Sequence, residues 1–447
     1  MSLVHSLTAE LIRNARSPWR VVLAHYKLRV RKAVARWNIL KPARQQRLLD
    51  KIARTDPARY QTLARHAEAV DAVKVADPIR DEAAFRPYDP ALSVPTPNVK
   101  AIAFYLPQFH PFPENDAWWG KGFTEWTNVG KARPLFPGHY QPHCPIHLGY
   151  YDLRLPEVMV EQARIARQYA VSGFAYHFYW FAGRTLMEQP LRTMLGNPDV
   201  DIPFFLSWAN ENWTRRWDGM ENEVLIAQSY TPEDARAMLR HVADYMRDPR
   251  YIRVDGRPVF SVYRPAQIPD PARMVDIWRD EARRQGLGEL HLIGIQTTPS
   301  QDHRSVGFDV NLEFAPHGIV QTDLSASYGL RDGRFAGAVH DYNEAVTLAL
   351  AQPDFGFPRY RSLMLGWDNT ARVPGRASIQ VGFTAEAYQR WLTELCRRAR
   401  SESWRKPDER FVFINAWNEW AEGTHLEPDQ RLGFAYLEAT RRAILAG

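Results

Sequence analysis

Glu419 and Glu422 stand three residues apart in Asn415-Ala-Trp-Asn-Glu-Trp-Ala-Glu-Gly-Thr-His-Leu-Glu-Pro428, interleaved with Trp417 and Trp420. Paired carboxyl groups are what glycosidic-bond chemistry asks for. One handles the proton at the leaving oxygen and the other supplies a base or a second charge. Aromatic rings beside them offer apolar faces to sugar rings. An arbitrary Glu-x-x-Glu is more often a pair of solvated loop acids, because charged residues are mostly surface residues. Here the apolar run Phe411-Val-Phe-Ile414 leads into the pair, and Gly423 loosens the backbone behind it. The acids therefore stand at the mouth of a buried strand, and taken alone they leave both readings open.

Acids at a strand end need a scaffold that gathers several strand ends. From Lys100 onward, apolar runs alternate with helical patterns. The runs are Ala101–Leu106, Gly173–Phe178, Pro203–Trp208, Pro258–Tyr263, His291–Gln296, Val310–Phe314, Ser362–Trp367 and Phe411–Asn415. Helical patterns cover Pro156–Tyr169, Pro232–Met246, Ala272–Gln285, Tyr342–Ala351, Ala385–Arg400 and Leu432–Leu445. Strands that are nearly all apolar and each followed by a helix argue an α/β chain with a parallel sheet covered on both faces. Eight of them predict a (β/α)8 TIM barrel. A doubly wound open sheet is the alternative, but no glycine-rich phosphate loop follows the first strand.

A barrel concentrates its chemistry at the C-terminal ends of its strands. Those ends carry unusual residues here. The first offers Tyr105, Gln108 and His110, with Trp126 in the long loop beyond it. The second offers Tyr176, His177, Tyr179 and Trp180, and the third Trp208, Asn210, Glu211 and Asn212. Glu313, Trp367, Asn418 and Trp420 follow at the sixth, seventh and eighth. These are the candidate substrate-binding residues, with Glu419 and Glu422 as the candidate catalytic pair.

Composition narrows the class. The 447 residues are 45% hydrophobic and 24% charged, which is the balance of a globular chain, and 15 Trp and 19 Tyr suit an aromatic-lined cleft. Two cysteines, Cys144 and Cys396, imply no disulfide framework and a reducing compartment. Arginines interrupt every apolar run near the N-terminus, and no stretch of roughly 18 apolar residues exists, so neither a signal peptide nor a transmembrane helix is expected. The expected location is cytoplasmic, with peripheral attachment to the inner membrane as a further option.

Of the 57 Lys and Arg, 13 lie in residues 1–56, against only 3 of the 51 Asp and Glu. The net charge of +6 thus belongs to an N-terminal extension, while the remainder is slightly acidic. Residues 1–95 are expected to be a basic helical extension ending in the linker Pro87-Tyr-Asp-Pro-Ala-Leu-Ser-Val-Pro-Thr-Pro97, and residues 98–447 the catalytic domain. The basic face over residues 1–86 suits a helical cap with a solvated face, or docking on an anionic membrane surface or a protein partner. Nucleic acid is not expected, because no binding motif accompanies the charge.

Two signals point elsewhere and are discounted. Asp199-Val-Asp201 matches the D-x-D of metal-dependent sugar transfer, but it precedes the third strand and so belongs to the face opposite the chemistry. His139, His143, Cys144 and His147 have intervals that could suggest metal binding, yet Pro137, Pro142 and Pro145 forbid a helix that would align them. No metal and no cofactor are expected.

Several segments taken together resemble the WbsX family, which is related to glycoside hydrolase family 99 and occurs in polysaccharide gene clusters. They are Ala103-Phe-Tyr-Leu-Pro-Gln-Phe-His110, Trp118-Trp-Gly-Lys-Gly-Phe-Thr-Glu-Trp-Thr-Asn-Val129, His139-Tyr-Gln-Pro142, Leu148-Gly-Tyr-Tyr-Asp-Leu153, Gly173-Phe-Ala-Tyr-His-Phe-Tyr-Trp180, Trp208-Ala-Asn-Glu-Asn-Trp213 and Asn418-Glu-Trp-Ala-Glu-Gly-Thr424. The resemblance runs from about Lys100 to the C-terminus and leaves the extension outside. It implies a retaining endo-acting glycoside hydrolase that cleaves α-linked sugars in a bacterial surface polysaccharide. Glu419 would then deprotonate the sugar 2-hydroxyl to form a 1,2-anhydro intermediate, and Glu422 would act as acid and base at the glycosidic oxygen. The alternatives are a glycosyltransferase or transglycosylase of O-antigen or capsule synthesis, or a non-catalytic polysaccharide-binding protein of the assembly machinery.

Overall fold

The computed structural model describes residues 80–215, 220–330 and 335–446. The expected basic helical segment lies outside the described residues up to position 79. Eight parallel strands form the centre: β1 (Lys100–Tyr105), β2 (Val171–Phe181), β3 (Phe204–Trp208), β4 (Arg257–Val262), β5 (His291–Ile295), β6 (Val310–Leu312), β7 (Arg359–Met364) and β8 (Phe411–Asn415). Each pairs with its sequence neighbours, and β1 closes the ring by pairing with β8 on one side and β2 on the other. Ala103 stands opposite both Ile414 and Phe174. The sheet is a closed (β/α)8 barrel, as the alternation of patterns predicted.

The helices start where the sequence places caps. In chain order they are α1 (Pro113–Trp119), α2 (Glu125–Lys131), α3 (Pro156–Gln168), α4 (Gln189–Gly196), α5 (Pro232–Arg247), α6 (Pro271–Arg284), α7 (Tyr342–Leu350), α8 (Ala385–Ser401) and α9 (Ala435–Ala446). Thr231 accepts from the Asp234 amide at the head of α5, and Asp270 from the Arg273 amide at the head of α6; a proline follows each cap. Thr384 does the same for α8, whose Tyr388, Trp391, Leu392, Leu395, Cys396 and Ala399 form one buried face at helical spacing.

Alternation along the strands divides the aromatic residues between two layers. Phe104 and Phe413, on neighbouring strands, meet inside the barrel at 5.9 Å, with Phe205 on Phe413 at 6.2 Å. Tyr105 and Tyr176, one residue on from axial positions, meet at 4.4 Å in the helix layer. Gly173 on β2 has no room for a side chain, since a Cβ would stand 2.8 Å from the Pro203 carbonyl oxygen.

Three expectations need adjustment. The seventh strand begins at Arg359 rather than Ser362, because Arg359 and Arg361 are buried arginines that an apolar pattern does not count. The proline-rich stretch expected as a linker makes contacts with α3: the Tyr88 hydroxyl donates to Gln168 (3.0 Å), and the Gln168 side-chain amide donates to the Leu92 carbonyl (3.3 Å). Short elements in the loops escaped the pattern, among them the antiparallel pair Trp213–Arg215 with Met220–Ile226 and the parallel pair Ala338–Asp341 with Ser378–Val381.

Candidate active site

Past β8 the chain folds back on itself. Asn418–Glu419 pairs antiparallel with Thr424–His425, and a single 3-10 turn, Trp420–Glu422, joins them. The Asn418 amide locks this segment to the end of β1: it accepts from the Leu106 amide (2.8 Å) and donates to the Leu106 carbonyl (3.0 Å). Gly423 closes the turn with φ +63, where a Cβ would stand 3.0 Å from the Asp368 amide nitrogen. That close approach lets the Asp368 amide donate to the Glu422 carbonyl at 2.7 Å, so the ends of β7 and β8 are fastened together.

The loop after β7 then delivers Arg372. Asp368 caps its first turn and accepts at Oδ2 from His139 (2.6 Å) and Gln141 (2.7 Å). Burial disfavours the Asp368 charge, but these donors hold its pKa below the usual carboxylate value. From this anchored turn the Arg372 guanidinium reaches three carboxylates. Nη2 lies 2.9 Å from Glu419 and 3.1 Å from Glu125, while Nη1 donates to Glu422. Glu125 comes from the head of α2, is fully buried, and has Asn128 at 3.5 Å.

Among the described residues the cluster sets one guanidinium, that of Arg372, against three carboxyl groups. Burial pushes the Glu419 carboxyl up to about 8; Arg372 opposes the shift, and Glu422 and Glu125 reinforce it. The Glu419 side chain is 9% exposed and that of Glu422 is 21% exposed, so Glu422 is the more open of the pair. His177 Nε2 lies 4.0 Å from Glu419, and burial lowers the imidazole to about 4, so it stands there neutral. Tyr179 completes this side, its hydroxyl pushed well up by burial and by the nearby Glu419 charge.

An aromatic wall leads away from the acids. Trp420 packs on Trp126 at 5.5 Å, and Trp126 on Tyr150 at 5.1 Å. Tyr150 is 57% exposed, so the wall runs from the buried turn out to solvent. Trp420 is fixed from behind by a donation from Nε1 to Glu427 (2.7 Å), which also accepts from Tyr151 (2.9 Å) and Gln162 (2.6 Å).

The residues singled out from the sequence thus separate into groups. His177, Tyr179, Trp126 and Trp420 surround Glu419 and Glu422 or the wall beside them, and Asn418 holds the segment. Tyr105, Tyr176, Trp180 and Trp208 point into the helix layer, where Tyr105 donates to Gln162 (2.7 Å), Trp180 to Asp234 (2.9 Å), and Trp208 packs on Trp278. Gln108 and His110 are buried in the β1 loop: the Gln108 carbonyl accepts from the Glu125 amide and the His110 ring bonds the Pro107 carbonyl. Asn210 is spent on the Arg264 backbone, Glu211 pairs with the Arg264 side chain, and Asn212 accepts from the Gln228 amide. Glu313 binds Arg361 (2.9 Å) and Arg359 (3.3 Å) on the flank of the barrel. Trp367 is half-buried, and its carbonyl accepts from the Gln380 amide. Asp199 and Asp201 are exposed in the turn before β3, where Arg167 pairs with Asp201.

Arg372 and Glu125 were missed. Glu125 stands inside the tryptophan-rich segment Trp118–Val129, so its acid was in view, but nothing in the spacing linked it to Glu419. An arginine in a polar loop reads as a surface residue.

The family described as Glycosyltransferase WbsX matches residues 101–440. Two curated relatives, both named uncharacterized protein WxcX and from two strains of Xanthomonas campestris pv. campestris, are 46% identical over 343 residues. That alignment spans 77% of this chain, and the chain spans about half (49%) of the length of those relatives. Among solved structures, the GH99 endo-alpha-mannosidase from Bacteroides thetaiotaomicron is 14% identical over 77% of this chain and 96% of its own, with a TM-score of 0.47. A glycoside hydrolase-like protein is 16% identical over 81% of this chain and 98% of its own, with a TM-score of 0.49.

Proposed function

From the premise that the chain belongs to the WbsX family, we propose that it is a retaining, endo-acting glycoside hydrolase of α-linked sugars in a bacterial surface polysaccharide. The observation that carries this reading is Arg372 bridging Glu419 and Glu422 at the mouth of the barrel, beside an aromatic wall. Glu419 takes the proton of the sugar 2-hydroxyl, and that oxygen attacks the anomeric carbon to close a 1,2-anhydro ring. Glu422 gives its proton to the departing glycosidic oxygen. Water then opens the ring: Glu422 accepts the water proton, and Glu419 returns its own to the 2-oxygen. This route needs a free 2-hydroxyl, so a 2-acetamido sugar in the reactive position is excluded.

Two features support the division of labour. A base whose conjugate acid lies near 8 is stronger than an ordinary carboxylate once ionised, which suits abstraction from a hydroxyl. The more open Glu422 is the better placed to meet a glycosidic oxygen arriving along the wall. A second reading follows the family's description: a sugar hydroxyl replaces water in the second step, and the enzyme elongates a glycan. Docking on a membrane surface or a protein partner through residues 1–86 belongs to the assembly reading. Among the described residues no helix is long and apolar enough to cross a membrane.

The test is mass spectrometry of products from the source organism's extracted polysaccharide and lipid-linked oligosaccharides, without nucleotide sugar and with Glu422→Gln as control. Shorter glycans with new reducing ends, absent with the variant, are the expected result. Lengthened glycans mean transfer, and no change in any substrate overturns both forms of the reading.

A further inference from the structure

Behind the Trp420 ring a second cluster of side chains converges. His143, His425 and Asp429 are all buried, and one donor atom from each lies within 4.8 Å of the others. His425 and Asp429 are each held by an anchor on the other side. His425 Nδ1 lies 2.8 Å from the Glu427 carbonyl oxygen, which can only accept, so Nδ1 carries the proton and Nε2 offers its lone pair. Asp429 Oδ1 accepts from the Leu432 amide at 2.7 Å, leaving Oδ2 turned toward His425 Nε2 at 3.9 Å. His143 Nδ1 faces the same Nε2 at 2.8 Å, its ring stacked on Tyr140 at 4.3 Å. An imidazole whose second nitrogen is held by a carbonyl, as in His425, and a carboxylate whose second oxygen is held by an amide, as in Asp429, are how proteins present metal ligands.

We propose that His143, His425 and Asp429 form a three-ligand site for a first-row divalent cation, with water in its fourth position. Two imidazoles and a carboxylate suit zinc, at bonds of about 2.0–2.2 Å. Seating the ion opens the His143–His425 contact by a few tenths of an ångström, and the His143 proton passes from Nδ1 to Nε2. Burial lowers His143 to about 4 and His425 further, so both rings are neutral. The other groups that act on the cluster are Asp368 and His139 beside His143, Tyr140 beside Asp429, and Arg431, which lies over the Tyr140 ring. Arg431 opposes a cation and the Asp429 charge favours it, so the imidazole lone pairs decide.

The ion would join loop 139–147 to the strand that returns from the Glu419–Glu422 turn. His425 stacks on Trp420 at 3.7 Å and 13°, so the brace stands directly behind the turn. The histidine spacing at 139, 143 and 147 hides this site. His139 is committed to Asp368 and His147 to Glu161 (2.7 Å), while the partners of His143 lie 282 residues and more along the chain.

The experiment needs no substrate, so it stands apart from the hydrolase reading. The full chain, made without an affinity tag, is analysed for metals by mass spectrometry after dialysis. About one zinc per chain is expected, with a melting temperature that falls when dipicolinate strips the metal and recovers on adding zinc. Cobalt(II) should give visible d–d bands in the wild type and none in His143→Gln/Asp429→Asn, whose melting temperature neither dipicolinate nor zinc should move. A metal-free wild type unmoved by zinc overturns the proposal, and so does a double variant that keeps stoichiometric metal. If the double variant does not fold, the wild-type metal content and chelator response decide alone.

Discussion

The glutamate–arginine cluster around Glu313 and the one around Glu419 and Glu422 are built in opposite proportions. On the flank, Glu313 is shared by two guanidiniums, Arg359 and Arg361. At the mouth, the Arg372 guanidinium is, among the described residues, shared by Glu125, Glu419 and Glu422. Burying a charge is tolerable only when it is paired. The flank cluster has more cations than its acid requires and serves as a framework clamp. The mouth cluster sets three acids around one guanidinium among the described residues, and burial together with the neighbouring Glu422 and Glu125 charges makes Glu419 take up a proton more readily. On the proposed function, the same residue types make a strut in one place and a proton-handling site in the other.

Four outcomes would break or sharpen that contrast. The largest is at the mouth: Glu419→Gln and Glu422→Gln should each cost roughly 10³-fold or more in kcat with the fold intact, read by product assay and circular dichroism. A wild-type rate in either variant ends the assignment of the pair. Arg372→Gln should cost less, on the order of 10²-fold, and should change the pH profile. Arg372 lowers the Glu419 pKa, so its removal raises that pKa, and the ascending limb of kcat/KM should move to higher pH. A limb that stays in place would mean that Arg372 only packs.

The flank should behave the other way. Glu313→Gln leaves two buried guanidiniums without their shared acid, and about 1–3 kcal/mol of stability should be lost in urea unfolding while the folded enzyme turns over normally. A large loss of kcat there would erase the contrast. The smallest effect concerns Glu419 and stability. Its folded pKa is raised to about 8, so the native state binds that proton more tightly than the unfolded chain. Wild-type stability thus contains a contribution that fades as pH rises from the ordinary carboxylate range through about 8. Glu419→Gln removes the penalty, so its melting temperature should exceed the wild type by a few degrees at pH 9 and match it near pH 5. A constant difference across that range would contradict the burial of an uncompensated charge.

Much of the architecture was legible because it repeats. Strands covered on both faces are apolar throughout, and helices flanking them carry a buried face at helical spacing, so Phe411–Asn415 and Tyr342–Leu350 announce themselves. Arg359 and Arg361 did not, since their burial depends on Glu313 and Glu402 from elsewhere in the chain. The aromatic strand ends were legible as a group but not one by one. Successive side chains on β2 face opposite ways, so His177 and Tyr179 reach the mouth while Tyr176 and Trp180 enter the helix layer. Nothing in an all-aromatic run says which half faces the axis.

The order of strands and helices, and the presence of two acids at the end of the last strand, follow from local chemistry and are written in Phe411–Glu422 itself. The company those acids keep is not. Glu125, Arg372 and His177 come from a helix, a loop and a strand up to 294 residues from Glu419, and the closed barrel brings Arg372 and His177 within hydrogen-bond or ion-pair reach of it and Glu125 onto the same guanidinium. The proton affinity of a carboxyl depends on its burial and on charges a few ångströms away through space. Spacing along a chain carries neither quantity, so the acids could be found by reading, and their protonation only by folding.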